Sequence, residues 1–119
     1  MVVSYIFFSF FLSLCFVLFC FFIFIVLVPP EFVKRPENIS IDEGDTIILE
    51  CEVRGFPVPQ ITWYLNDSTL SNNSSLVEIV NAKKADHEGV YRCEAKNPAG
   101  AVSASAVVTV NGKVKDKYI

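Results

Sequence analysis

One histidine, one tryptophan and one methionine stand in 119 residues, and these scarcities exclude whole classes of chemistry. With His87 alone, neither a histidine-rich zinc site nor a buried histidine dyad can be assembled. No serine sits in a Gly-x-Ser-x-Gly turn or beside a base, and no Gly-rich loop is present to cradle a phosphate. Asp86-His87-Glu88 is the one stretch resembling a metal or acid–base cluster, but consecutive residues on a turn point apart. The chain therefore reads as a non-enzyme, with no catalytic, cofactor-binding or metal-ligating residues, no cofactor and no small-molecule substrate. Positive charge is scarce as well. Ten Lys and Arg face 13 Asp and Glu, a net charge of −3, and between Glu31 and Val110 the balance is seven against twelve. Binding nucleic acid requires Lys and Arg to neutralise phosphates, so nucleic acid is excluded as a partner.

Charge of either sign is missing altogether from residues 1–30, which hold nine of the eleven phenylalanines. From Ile6 to Val28 the residues are Phe, Leu, Ile, Val, Cys and Ser only. A helix of this length crosses a hydrocarbon core of roughly 30 Å, so a membrane association through residues 6–28 is one reading of this helix-like segment. A signal peptide is a second, although there is no basic n-region and Val28-Pro29-Pro30 offers no small-residue cleavage site. The segment also has no Ala, Gly or Thr and uses residues with pyrimidine-rich codons, so translation of a polypyrimidine intron tract is a third. The nearest cations, Lys34 and Arg35, would place the following domain on the cytoplasmic side, with Glu31 and Glu37 weakening that signal. Cys15 and Cys20 lie within the apolar run and are assigned no role. At the other end, residues 111–119 have no hydrophobic pattern and read as a disordered tail.

Between these ends the apolar residues alternate with a period of two, bounded by turn residues, which predicts an all-β domain over residues 30–110. Phe32-Val33 and Ile39-Ser40-Ile41 form a first strand split at Pro36, as suits a sheet edge. Ile47, Leu49, Cys51 and Val53 share one face after the turn at Glu43-Gly44-Asp45. Ile61 and Trp63 point inward, as do Val77 and Ile79, then Tyr91, Cys93 and Ala95, then Val102, Ala104, Ala106, Val108 and Val110. Gly55-Phe56-Pro57-Val58-Pro59 makes a stiff loop, because each proline fixes φ. Asn97-Pro98-Ala99-Gly100 makes a hairpin turn with Asn and Gly where positive φ is expected.

Several stretches carry a family resemblance when taken together: Glu43-Gly44, Cys51-Glu52-Val53-Arg54-Gly55-Phe56-Pro57-Val58-Pro59, Trp63, Gly89-Val90-Tyr91-Arg92-Cys93 and Ala95-Lys96-Asn97-Pro98-Ala99-Gly100. With the opening Pro29-Pro30-Glu31-Phe32 and the pair Asn81-Ala82, residues 30–110 resemble an immunoglobulin-like I-set domain. The resemblance implies a sandwich of two antiparallel sheets, with Cys51 and Cys93 bridging them, Trp63 packed over the bridge and Tyr91 pinning the corner. Outside the cell that pair is a disulfide, closing a loop that stabilises by roughly 4 kcal/mol in the chain-entropy account. In the cytosol the same thiols pack reduced as small apolar groups.

Two departures from the family pattern matter. Only 30 positions separate Trp63 from Cys93, and Asn66–Ser75 is polar turn material where strand D is expected. A short or missing strand D follows, with strands A, B and E in that sheet and edges left free to pair with another chain. The family corner reads Asp-x-Gly-x-Tyr-x-Cys, whereas in this chain Asp86-His87-Glu88-Gly89 either inserts a residue or places His87 at the aspartate, and no arginine lies between Arg54 and Arg92. The usual corner ion pair is therefore expected to be lost, leaving a weaker corner.

Four N-x-[ST] sequons nominate Asn38, Asn66, Asn72 and Asn73 as candidate N-glycosylation acceptors, although Asn- and Ser-rich loops also make sequons by chance. The acidic turn Asp42-Glu43-Asp45 and the pair Lys83-Lys84 are most simply solvated ends of the sandwich. By the resemblance the partners are other proteins, including other immunoglobulin-like domains. The setting is a membrane or extracellular protein, or alternatively a cytoplasmic, sarcomeric one in which the domain is a structural repeat and the chain a single-exon fragment.

Overall fold

A computed structural model describes residues 26–112. The hydrophobic segment up to residue 25, with Cys15 and Cys20, and the tail from residue 113 lie outside the described residues. Nine strands and one helical turn are described in the chain order β1 (Val28–Lys34), β2 (Ile39–Asp42), β3 (Ile47–Glu50), β4 (Glu52–Phe56), β5 (Gln60–Leu65), β6 (Ser68–Thr69), β7 (Leu76–Ile79), α1 (Lys84–His87), β8 (Gly89–Asn97) and β9 (Gly100–Asn111). Among the described residues no helix is long and apolar enough to cross a membrane.

The first strand is split as its proline demands, and the two halves join different sheets. β1 pairs antiparallel with β4, while β2 pairs in parallel with β9. Pro36 is buried between them, where its missing N–H interrupts the edge and the chain changes layers. The second long strand is also broken, at Cys51: β3 pairs with β7 and β4 with β1. The opposing layer is a five-stranded sheet in the order β2-β9-β8-β5-β6. No strand lies between β6 and β7 among the described residues, so β7 is an edge with no strand D beside it.

The period-two reading places the core correctly. Ile47, Leu49, Cys51 and Val77 from one layer meet Trp63, Tyr91, Cys93, Ala95, Ala106, Val108 and Val110 from the other, all buried. Small alanines on β8 and β9 leave room for the indole and phenol rings, the largest fully buried side chains. Burying side chains of this size contributes about 1.5–3 kcal/mol each for the larger aliphatics, so the core is the main source of stability.

The turn at Asn97-Pro98-Ala99-Gly100 differs from expectation. Asn97 and Gly100 face each other across a two-residue loop, but neither is among the residues with positive φ. Those are Asn66, Asp67 and Asn81 among non-glycines, together with Gly55, Gly89 and, at +95° in the turn before β3, Gly44. Asn97 is instead a buried polar residue at 8% exposure, and its side chain has a different task. Its Nδ2 donates to the carbonyls of Val28 (2.7 Å) and Pro57 (3.0 Å), and its Oδ1 accepts from the Ala99 N–H (2.9 Å). One amide thus ties the start of β1, the proline loop and the β8–β9 turn together.

Candidate functional site

The four signature residues meet in the middle of the sandwich. A disulfide joins Cys51 to Cys93 with a Cα–Cα distance of 6.5 Å. Trp63 lies opposite Cys93 in the β5–β8 register and is fully buried. Its indole Nε1–H donates to the Ser74 carbonyl at 2.8 Å, which satisfies the polar atom that burial would otherwise penalise. Tyr91 donates its hydroxyl to the His87 carbonyl at 2.6 Å, and burial pushes its phenol above the usual range. No part of this constellation faces solvent. It holds the fold together and offers nothing to a partner.

The corner beside Tyr91 is not bare. His87 accepts the Lys83 N–H on Nδ1 at 2.8 Å, a bond that spans the single turn α1. Glu88 accepts the Val110 N–H at 2.9 Å and pairs with Lys84 at 3.1 Å, which together hold its carboxyl below the usual range. Among the described residues no ion pair is made at position 87, as expected, but the corner carries a different one, between Glu88 and Lys84 of the adjoining helical turn. The side chains of Asp86, His87 and Glu88 thus have separate surroundings. Among the described residues no group of three His, Cys, Asp or Glu side chains could hold a metal.

The acidic turn is used internally. Asp45 accepts the Asp42 N–H at 3.2 Å, Asp42 accepts from the Asn111 amide at 3.3 Å, and Glu43 accepts the Lys84 N–H at 3.0 Å. It bonds the neighbouring ends of β2, β9 and α1 to one another.

The sequons separate by environment. Asn38 and Asn66 each spend Oδ1 on a backbone N–H, of Val107 (2.8 Å) and Val90 (2.9 Å) respectively. Asn72 is engaged on both atoms, accepting from Ser74 N–H (2.7 Å) and donating to the Leu76 carbonyl (3.1 Å). Asn73 is exposed.

The outer face of the five-stranded sheet carries a half-exposed arrangement that combines charge with an aromatic surface. Because Trp63 and Cys93 point inward, Tyr64 and Arg92, paired in register, point outward. The Arg92 guanidinium lies 4.1 Å from the centroid of the Tyr64 ring. It is held there by Glu94 at 3.3 Å and, more loosely, by Asp67 at 3.9 Å. Asp67 is in the left-handed region, in the tight β5–β6 turn. Beside the stack is a cleft of ≈ 320 Å³ lined by Asn66, Asp67, Val90, Arg92 and Ser105. This pair was not singled out from the sequence, yet its signal was there. Once Trp63 faces Cys93, the next residues along, Tyr64 and Arg92, must face each other on the opposite surface.

A second, smaller cleft of ≈ 210 Å³ lies where β1 crosses to β2, lined by Lys34, Arg35, Glu37, Ile39, Ile48 and Glu50. Its cations are occupied: Lys34 pairs with Glu50 at 2.7 Å, and Arg35 stacks 5.2 Å from the Phe32 ring.

Comparison with known proteins agrees with this geometry. The immunoglobulin I-set domain family matches residues 30–110. The chain is 37% identical over 94 residues to peroxidasin homolog pxn-1 of Caenorhabditis elegans, covering 71% of this chain and 7% of that protein. It is 38% identical over 96 residues to the smooth-muscle myosin light chain kinase of Gallus gallus, covering 76% of this chain and 5% of that protein. The chain thus spans a small fraction of the relatives it matches. Among solved structures, a chain in a complex of titin M10 with an obscurin-like 1 immunoglobulin domain aligns with a TM-score of 0.68 and 30% identity, covering 74% of this chain and 98% of that one. With the sandwich, its bridge and its tyrosine corner in place, the chain belongs to the immunoglobulin I-set family.

Proposed function

We propose that the chain is a protein-recognition module of a larger cell-surface or matrix protein, and that it engages its partner through the outer face of β9, β8 and β5. The observation that carries this reading is the Arg92 guanidinium fixed over Tyr64 by two carboxylates. Arg and Tyr dominate the energetics of protein interfaces, and an already ordered side chain has less freedom to lose on binding. The surrounding Val90 and Val107 are exposed apolar positions on the same face. The disulfide and the exposed sequons support an oxidising, secretory setting.

The test uses a photo-crosslinking residue placed at Ser105, on this face, or at Ile48, on the opposite layer, in cells of the native tissue. Crosslinks to a protein from position 105 but not 48, abolished by Arg92→Glu, are the expected result. Equal crosslinking from both faces, or indifference to Arg92→Glu, would defeat the reading.

A second reading is a structural repeat of an intracellular muscle protein, with the N-terminal segment absent from the mature message. The identity to a smooth-muscle kinase and the likeness to a titin-containing complex support it. Alkylation mapping of tissue-derived protein separates the two. Free thiols at Cys51 and Cys93, no glycan, and a transcript that splices out residues 1–28 would favour the muscle repeat.

A further inference from the structure

We propose that Asn73 carries an N-linked glycan and that this glycan covers the side of the sandwich left open by the missing strand D. The inference rests on the cell-surface reading above.

Two sheet edges meet on that side. β6, only two residues long, ends the five-stranded sheet, and β7 ends the β3–β7 pair. Residues 70–75 join them and therefore run along the open side. The Cys51 N–H bonds the Ser75 carbonyl at 2.8 Å, continuing the β3–β7 ladder by one pair and setting its phase. In an antiparallel ladder hydrogen-bonded pairs alternate, so Val77 and Ile79 bond to β3 while Leu76 and Glu78 turn their backbone groups outward. The loop caps the first of these itself: Leu76 N–H donates to Ser74 Oγ (3.2 Å) and the Leu76 carbonyl accepts from Asn72 Nδ2 (3.1 Å). The Glu78 groups stay on the open edge. Edges of this kind are normally blunted or covered, because they template pairing with another chain.

Of the four acceptors, the geometry favours Asn73 for this task. Asn66 sits at φ 49°, and its amide is pressed against Gly89 so closely that a Cβ built there would lie 2.5 Å from Nδ2. A sugar on Asn72 would crowd the Nδ2–H that caps Leu76. Asn38 lies beside β2 and β9, at the far edge of the five-stranded sheet, where a glycan would leave β7 uncovered. Asn73 is exposed, makes none of these bonds and stands in the loop along the open side. In the transfer, Nδ2 of Asn73 attacks the anomeric carbon of a lipid-diphosphate-linked oligosaccharide. The C1–N bond forms, the C1–O bond to the diphosphate breaks, the lipid diphosphate leaves as the anion, and Nδ2 loses one proton. The resulting glycan is bulky and solubilising.

The experiment expresses the full 119-residue chain in metazoan cells and isolates it also from native tissue, with deglycosylation in heavy-oxygen water to mark each occupied Asn. Occupancy at Asn73 is expected, lost in Asn73→Gln and retained in Asn72→Gln. Asn73→Gln is also expected to shift sedimentation from monomer toward dimer, with an unchanged melting temperature. A glycan on other sequons but not on Asn73, or one that persists in Asn73→Gln, overturns the inference alone. So does loss of the glycan with no change in sedimentation. No glycan on any sequon in tissue-derived protein, with Cys51 and Cys93 recovered as thiols, overturns it together with the cell-surface reading.

Discussion

Gly89 starts β8 at φ +152°, and a Cβ there would meet the Asn66 amide at 2.5 Å. The Asn66 side chain cannot retreat without releasing the Val90 N–H it accepts. Gly89→Ala is therefore expected to cost about 2–4 kcal/mol, from backbone strain plus a broken hydrogen bond, read from urea unfolding midpoints. Glu88 is a titrating case. Its carboxyl is held below the usual range first by the Val110 N–H and then by Lys84. A depressed folded value means that its contribution is present above the unfolded carboxylate range near pH 4.3 and is lost as pH falls through the lower folded value. Glu88→Gln should flatten the acid limb of the stability curve, read from urea midpoints across the acid range. Tyr91 titrates in the opposite sense, since burial raises its phenol. Its contribution is present below about pH 10 and lost as pH rises through the higher folded value. Tyr91→Phe should cost about 1–2 kcal/mol at neutral pH through the lost bond to the His87 carbonyl, and should also flatten the alkaline limb.

At the scale of elements, the 70–75 loop that stands where strand D is expected is tied to the core by its backbone acceptors. Ser74 supplies a carbonyl to the Trp63 indole and Ser75 one to the Cys51 N–H, while Leu70 packs against the core. Trp63→Phe removes one of these ties and leaves a void, so a loss of about 2–4 kcal/mol is expected, with faster amide exchange at Cys51 as the loop loosens. These ties also show where sequence reading stops. Ile47, Leu49, Trp63, Tyr91 and the alternating residues of β9 were legible, because burial on a pleated strand imposes a period of two on side-chain type. The absent strand D was legible from the polar run after Leu65, whereas the short β6 within that run was not. The carbonyls of Ser74 and Ser75 were not, because every residue has a carbonyl and its aim depends on the folded loop. Asn97 was half legible: Asn-Pro marks a turn, but burial of the amide between β1 and the proline loop needs partners 40 and 69 positions away. The crossing of the first strand to a second sheet was likewise hidden, since Pro36 announces a break and not its direction. For the proposed binding face, Tyr64 and Arg92 were readable only through register, which the bridge itself supplies.

For the whole molecule, the bridge sets the balance between the two settings. It joins positions 42 apart, and its reduction should cost roughly 4 kcal/mol by the loop-entropy account. A small domain has about 5–15 kcal/mol in all, so much of its margin depends on the compartment. Titrating the folded protein with dithiothreitol under denaturant should show a drop of that order; a drop below about 1 kcal/mol would mean that the buried thiols pack nearly as well as the bridge.

The split first strand has a mechanical consequence. β2 and β9 run parallel, Ile39 beside Val108 and Asp42 beside Asn111. Tension applied through the two ends of the domain pulls β2 back along its own axis and β9 forward along its axis. The ladder between them is then loaded lengthwise, all its bonds sharing the force at once, whereas the antiparallel β1–β4 pair would unzip rung by rung. Ile41→Pro, by deleting one donor from this ladder, should lower the single-molecule rupture force more than Ser40→Pro, whose N–H faces the open edge, or the same change at Val33. Resistance to tension along the chain is expected to be concentrated in the four residues on either side of that parallel seam.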